Sequence, residues 1–170
     1  MRLTLLLAAL ALSACAETEQ PTPEPTDVEA PSTASSEPLQ TVQALYRAAG
    51  EGDNETIGRL LGDDVEWVEA EGGPFEAGNP YVGVEGVGAG VFGPLAETYD
   101  DFRVTPERFL VDGDRVLAEG RYTGTHRETG EALDAQFAHV FTTAGDRITA
   151  YQQYTDTFQW RRLGGTLDPE

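Results

Sequence analysis

Apolar residues recur at helical spacing early in the globular part of this chain and alternate with polar ones later. Leu39, Val42, Leu45, Tyr46 and Ala49 fall three or four positions apart, which marks one face of a helix. Ser36 and Pro38 read as its capping side chain and first-turn proline, and Gly50-Glu51-Gly52 ends it. Asp53 caps a second helix that turns Ile57, Leu60 and Leu61 inward, and Gly62-Asp63-Asp64 breaks it. The period then becomes two. Val65, Trp67 and Glu69 alternate with Glu66 and Val68, so a strand begins there. A Gly/Pro-rich loop spans Gly72 to Pro80. A third helical stripe starts near Gly83, with Val84, Val87, Val91, Phe92 and Leu95, thinned by glycines and Pro94. Within it, Gly86-Val87-Gly88-Ala89-Gly90 lacks the strand and lysine of a phosphate loop, and reads as helix with small residues.

From Phe102 onward the pattern is that of strands. Phe102–Val111 is the first, and Pro106 marks it as an edge or a bulge. Asp112-Gly113-Asp114 turns the chain into Arg115–Thr125. After a loop at His126–Gly130, Glu131–Thr143 leads into a hairpin closed by Gly145-Asp146. In that hairpin Phe137, His139 and Phe141 share one face, and Tyr151, Gln153 and Thr155 share one face of the partner strand. An imidazole and an amide among aromatics suit a pocket or an interface better than a plain core. The order predicts an α+β fold: three N-terminal helices packed on a curved antiparallel or mixed sheet, forming a cone-shaped barrel with a cavity inside.

The segment before residue 37 has a different character. Met1–Ala14 carries Arg2 and then an apolar run from Leu3 to Leu12, the core of an export signal and too short to span a bilayer comfortably. Leu12-Ser13-Ala14-Cys15 resembles the lipobox of bacterial lipoproteins. The resemblance implies cleavage before Cys15 and acylation of that residue, including palmitate-type chains, so that several chains together anchor the protein. The expected location is the bacterial cell envelope, on the extracytoplasmic face. Because Ala16, and not an acidic residue, directly follows Cys15, the outer membrane is favoured where there are two membranes. Residues 15–36 are rich in Pro, Thr, Ser and Glu with no aromatic side chain, and are expected to form a disordered tether. The domain is placed at residues 37–160, with a flexible tail over 161–170.

Charge narrows the partners. The chain has 11 Lys+Arg, all of them Arg, against 30 Asp+Glu, for a net charge of −19. Removing the leader takes Arg2 away and leaves ten arginines against thirty acids, a charge of −20. Such acidity argues against binding nucleic acid and against electrostatic docking on anionic lipid. The single Cys15 allows no internal disulfide, and with only His126 and His139 a histidine-rich metal site is excluded. No cofactor is expected.

The helix-GD-helix opening LYRAAGEGDNETIGRLLGDDVEWVEA, the stretch YVGVEGVGAGVF and the closing VLAEGRYTGTHRETGEALDAQFAHVFTTAGDRITAYQQYTDT together resemble the SnoaL-like branch of the nuclear-transport-factor-2-like superfamily. Ketosteroid isomerases and polyketide cyclases belong to the same superfamily. The likeness runs from about Leu39 to Trp160, and its end, AHVF…GDRI…QYTDT, is the most specific part. It implies a conical α+β fold, often dimeric, with a pocket in the cone. It does not imply one activity. Aligned from Gly62-Asp63-Asp64, Glu69 falls near the carboxylate base of ketosteroid isomerases. Aligned back from Gly145-Asp146, His139 falls where those enzymes hold a neutral acid donor. Leu45 stands at their oxyanion tyrosine, with Tyr46 adjacent, so an enolate would lose one of two donors. Asp156 is the nearest match to the acid/base residue of SnoaL-type cyclases.

His139, Asp156 and Glu69 are therefore the candidate catalytic residues. For Glu69 a solvated strand-end carboxylate is the competing and favoured expectation, and for Asp156 a capping role is equally open. Trp67, Tyr46, Phe137, Tyr151 and Gln153 are candidates to line a pocket for a small apolar ligand. His126 is expected to be solvated, and Arg121 to pair with Glu119 or Glu131. Two function classes stay open: cofactor-free proton transfer, and non-catalytic binding of an apolar ligand or partner, homodimerisation included.

Overall fold

The structure, a computed structural model, describes residues 36–164. The leader, Cys15, the tether up to residue 35 and residues 165–170 lie outside the described residues. A six-stranded mixed sheet carries the fold. Its strands are β1 (Leu61–Val68), β2 (Tyr81–Val82), β3 (Tyr99–Asp112), β4 (Arg115–His126), β5 (Ala132–Ala144) and β6 (Arg147–Thr155). They lie in the order β2-β1-β6-β5-β4-β3. β1 runs parallel to β6, and every other pairing is antiparallel. The four long strands follow the alternation of the sequence, and their register bears out the hairpin at Gly145, whose φ of +61° suits glycine.

The helices follow the expected order, but they are not all N-terminal to the sheet. Only α1 (Glu37–Glu51) and α2 (Asn54–Leu60) precede the first strand. The third helical stretch follows β2, as α3 (Gly83–Val87), a π-helical turn over Gly88–Phe92, and α4 (Gly93–Thr98). A helix not foreseen, α5 (Thr157–Leu163), closes the described chain. The domain thus extends past Trp160: Trp160 and Leu163 are both buried, in a second core cluster with Tyr99, Tyr122, Leu133 and Phe137. The main cluster joins Val42 and Leu45 of α1 and Val87 and Val91 of the third helical stretch to Val65, Phe141 and Ile148 of the sheet. Asp53 caps α2 through the Thr56 N–H at 3.0 Å. Ser36 makes no side-chain cap, and its hydroxyl is buried without a partner.

Two irregularities position the site. Thr142 pairs with Ala150 while Thr143 pairs with Ile148, so Thr149 is an extra residue in β6. The bulge shifts the buried parity from Ile148 to Tyr151 and Gln153, and brings Gln153 opposite His139. On the edge strand β3 the register shifts between Pro106 and Arg108. A Cβ on the facing Gly120 would lie 2.1 Å from the Thr105 carbonyl oxygen and 2.7 Å from the Phe137 ring. Glycine is required there by the close approach of the two strands.

Candidate functional site

A cavity of about 430 Å³ lies between the sheet and the helices. Exposed residues at the turn between α1 and α2 (Gly50, Gly52, Asn54) and on β3 (Arg103, Thr105) rim it. Its inner end is formed by Trp67, Glu69, Tyr122, His139, Tyr151 and Gln153, all of them buried. Apolar rings thus surround a compact set of polar groups, an arrangement typical of small-molecule sites.

The polar groups are chained together. His139 has a tyrosine on each ring nitrogen, with the Tyr46 hydroxyl 2.7 Å from Nδ1 and the Tyr122 hydroxyl 2.5 Å from Nε2. Gln153 Nε2 donates to the Tyr122 hydroxyl at 2.8 Å, and the Ala70 N–H donates to Gln153 Oε1 at 3.2 Å. Trp67 Nε1 donates to Glu69 Oε1 at 2.6 Å, and Gln153 is a second hydrogen-bonding partner of that carboxyl. The Asn79 side chain exchanges two bonds of 2.8 Å with the Glu69 backbone and so pins the loop that folds over it.

This environment shifts protonation in opposite senses. Burial pushes the Glu69 carboxyl up to about 7 against the pull of its Trp67 and Gln153 donors, so it exchanges its proton near neutrality. Burial holds the His139 imidazole well below its ordinary range, hence neutral. The hydroxyls of Tyr46, Tyr122 and Tyr151 are pushed upward by burial and stay protonated.

Several expectations need correction. Glu69 is 3% exposed, not a solvated strand-end carboxylate. His139 is in the cavity wall, but both nitrogens are engaged by hydroxyls, which suits a positioning group better than a free base. Asp156 is exposed and accepts from the Gln159 N–H at 3.2 Å as the cap of α5; it is not among the cavity residues. Phe137 stacks on His139 at 3.9 Å from behind, in the second core cluster, and does not line the cavity. Tyr46, Trp67, Tyr151 and Gln153 do line it, and Trp67 stacks on Tyr151 at 3.6 Å. Tyr46, next to Leu45, brings a hydroxyl into the cavity wall. His126 is buried against Tyr99 at the end of β4. Arg121 pairs with Asp134 at 2.7 Å on the exposed side of the sheet, while Arg108 takes Glu119. Tyr122 and Asn79 were missed. Tyr122 had a signal, since it shares inward parity with Val116, Ala118 and Gly120. Asn79 had none, because its role depends on how the loop returns. Among the described residues no three His, Cys, Asp or Glu side chains gather as a metal would require.

A mixed sheet backed by helices, with a polar-ended cavity between them, defines a class of cone-like α+β ligand domains. The SnoaL-like domain family matches residues 42–151, and the chain belongs to that family. Among solved structures it is similar to an NTF2-like protein from Burkholderia thailandensis E264, at 28% identity and a TM-score of 0.71, over 78% of this chain and 98% of that one. It is also similar to TerC co-crystallised with polyporic acid, at 25% identity and a TM-score of 0.67, over 75% and 98% of the two chains. A protein of ketosteroid isomerase-like fold from Catenulispora acidiphila, in complex with trimethylamine, shares 21% identity and a TM-score of 0.63, over 76% of this chain and 98% of that one. No curated protein matches the chain.

Proposed function

We propose that the cavity binds a small, largely apolar carbonyl compound and that Glu69 performs cofactor-free proton transfer on it, of isomerase or cyclase type. The carrying observation is a buried carboxyl with its proton exchange near pH 7, in the same cavity wall as the Tyr46–His139 pair. In the step, ionised Glu69 takes a proton from the carbon next to the carbonyl. The C–H electron pair becomes the enolate double bond, and the carbonyl electrons move onto oxygen. A tyrosine hydroxyl stabilises that oxygen, and protonated Glu69 returns the proton to the same or a conjugated carbon. TerC, co-crystallised with polyporic acid, supports a small organic ligand. Export and anchoring through Cys15 belong to the same proposal and place the domain at the envelope surface.

The test uses 2-tetralone, a small bicyclic ketone with activated benzylic α-protons, in D2O, with α-proton exchange followed by NMR. Exchange above the buffer rate should rise with pH through about 7 as Glu69 ionises. Tyr46→Phe should slow it by roughly a hundred- to a thousandfold, the usual cost of one oxyanion donor. Glu69→Gln should abolish it. Full exchange in Glu69→Gln would remove the base. Binding of 2-tetralone without any exchange would favour the alternative, a non-catalytic ligand-binding lipoprotein.

A further inference from the structure

The buried polar chain behind the cavity fixes the direction in which its hydrogen bonds run. The Ala70 N–H is a donor only, so the Gln153 oxygen must face it and the Gln153 NH2 must face Tyr122. A flipped amide would set two donors against each other. The Tyr122 oxygen therefore accepts, and the Tyr151 hydroxyl bonds to the same group. Tyr122 keeps one proton to donate. The strongest acceptor it touches is the imidazole nitrogen, Nε2 of His139, at 2.5 Å. A neutral imidazole that accepts at Nε2 carries its proton on Nδ1. The rings touching His139 are Tyr46, Tyr122, Tyr151, Phe137 and Phe141, with no carboxylate among them to stabilise a charge. Nδ1–H then donates to the Tyr46 oxygen at 2.7 Å. That leaves the Tyr46 hydroxyl proton, which has no acceptor among the described residues, on a side chain that lines the cavity.

We infer that Gln153 is a positioning residue: acting through Tyr122, it holds His139 as the Nδ1–H tautomer and so commits the Tyr46 proton to a ligand oxygen. The ligand class follows. The site takes molecules that present an acceptor oxygen at Tyr46 (a ketone, an enolate or a phenolate) and disfavours those presenting a donor there. The role of that oxygen in catalysis rests on the proton-transfer reading above, but the tautomer does not.

The test reads the tautomer directly, by two-bond 1H–15N correlation on uniformly 15N-labelled protein at pH 7, where two histidines give two sets of signals. Wild type should show His139 protonated at Nδ1 with Nε2 bare. Gln153→Leu removes the directing amide, so Nε2–H should appear and 2-tetralone affinity, followed by Trp67 fluorescence, should fall by roughly tenfold. An Nε2–H or doubly protonated His139 in wild type overturns the inference, and needs no variant to fold. An unchanged tautomer in Gln153→Leu overturns the role of Gln153. The correct tautomer together with absent 2-tetralone exchange would leave the relay standing and sink only the enzymatic reading.

Discussion

Glu69 lies one residue beyond the end of β1, and its position decides its chemistry. Strand alternation puts it on the face of Trp67, but alternation does not say whether a strand end is covered. The loop that returns to Asn79 covers it, and Asn79 bonds to its backbone. Sequence could place the carboxylate on the correct face and could not predict its burial. The same holds for His139, whose inward direction was legible while its two tyrosine partners, 93 and 17 residues away, were not. Burial of Glu69 has a consequence for stability. Its folded value of about 7 exceeds the unfolded value of 4.5. Below 4.5 the group is protonated in both states and costs nothing; between 4.5 and 7 the unfolded chain releases the proton that the folded state still holds, so stability falls across that window and levels off above 7, where both states are ionised. The full difference is about 3 kcal/mol above that range. His139 works in the opposite sense, losing stability as pH falls below the ordinary histidine range. Glu69→Gln isolates the first effect. In urea unfolding from pH 4 to pH 8.5, the variant should gain on wild type by about 3 kcal/mol as pH rises. A pH-independent difference would mean that Glu69 is not held neutral by burial.

At the scale of elements, periodicity was a good guide to the long strands and a poor one to short helices. β3 to β6 were visible because alternation persists over many residues and turns at Gly113 and Gly145 separate them. α5 was not, since Gly164-Gly165 suggested a frayed end and only Trp160 and Leu163 betray an inward face. The third helical stretch tolerates its glycines for a packing reason: the Tyr81 ring lies where a Cβ on Gly90 would be, 2.1 Å away. Gly120 is the sharper case, because what stands in the way is β3 backbone and not a mobile side chain. Gly120→Ala must push β3 away from β4 or displace Phe137, which backs His139. The expected cost is about 1–3 kcal/mol, read as a lower urea midpoint with an unchanged slope. Full stability in that variant would show that the edge strand moves freely and that the cavity rim at Thr105 is soft.

For the molecule as a whole, the domain and its location are separate problems. The cone provides a cavity wherever the protein resides, and no helix among the described residues is long and apolar enough to cross a membrane. Nor does its charge favour anionic lipid, since the processed chain would carry −20, from ten arginines and thirty acids. In the proposed reading, membrane association would come from an acylated Cys15 in the lipobox-like segment, holding against electrostatic repulsion. Acyl chains supply enough: each buried methylene contributes about 0.8 kcal/mol, and two or more chains give stable anchoring. Cys15→Ala removes the acceptor for the diacylglycerol and should move the protein from the detergent-soluble membrane fraction to the soluble one. In the isolated variant, 2-tetralone binding should be unchanged, because residue 15 is separated in sequence from every residue lining the cavity, the first of which is Leu45. Persistence of the variant in washed membranes would point to a second attachment, through protein contacts and not lipid, and would redirect attention to exposed Tyr154 and Phe158 as the surface responsible.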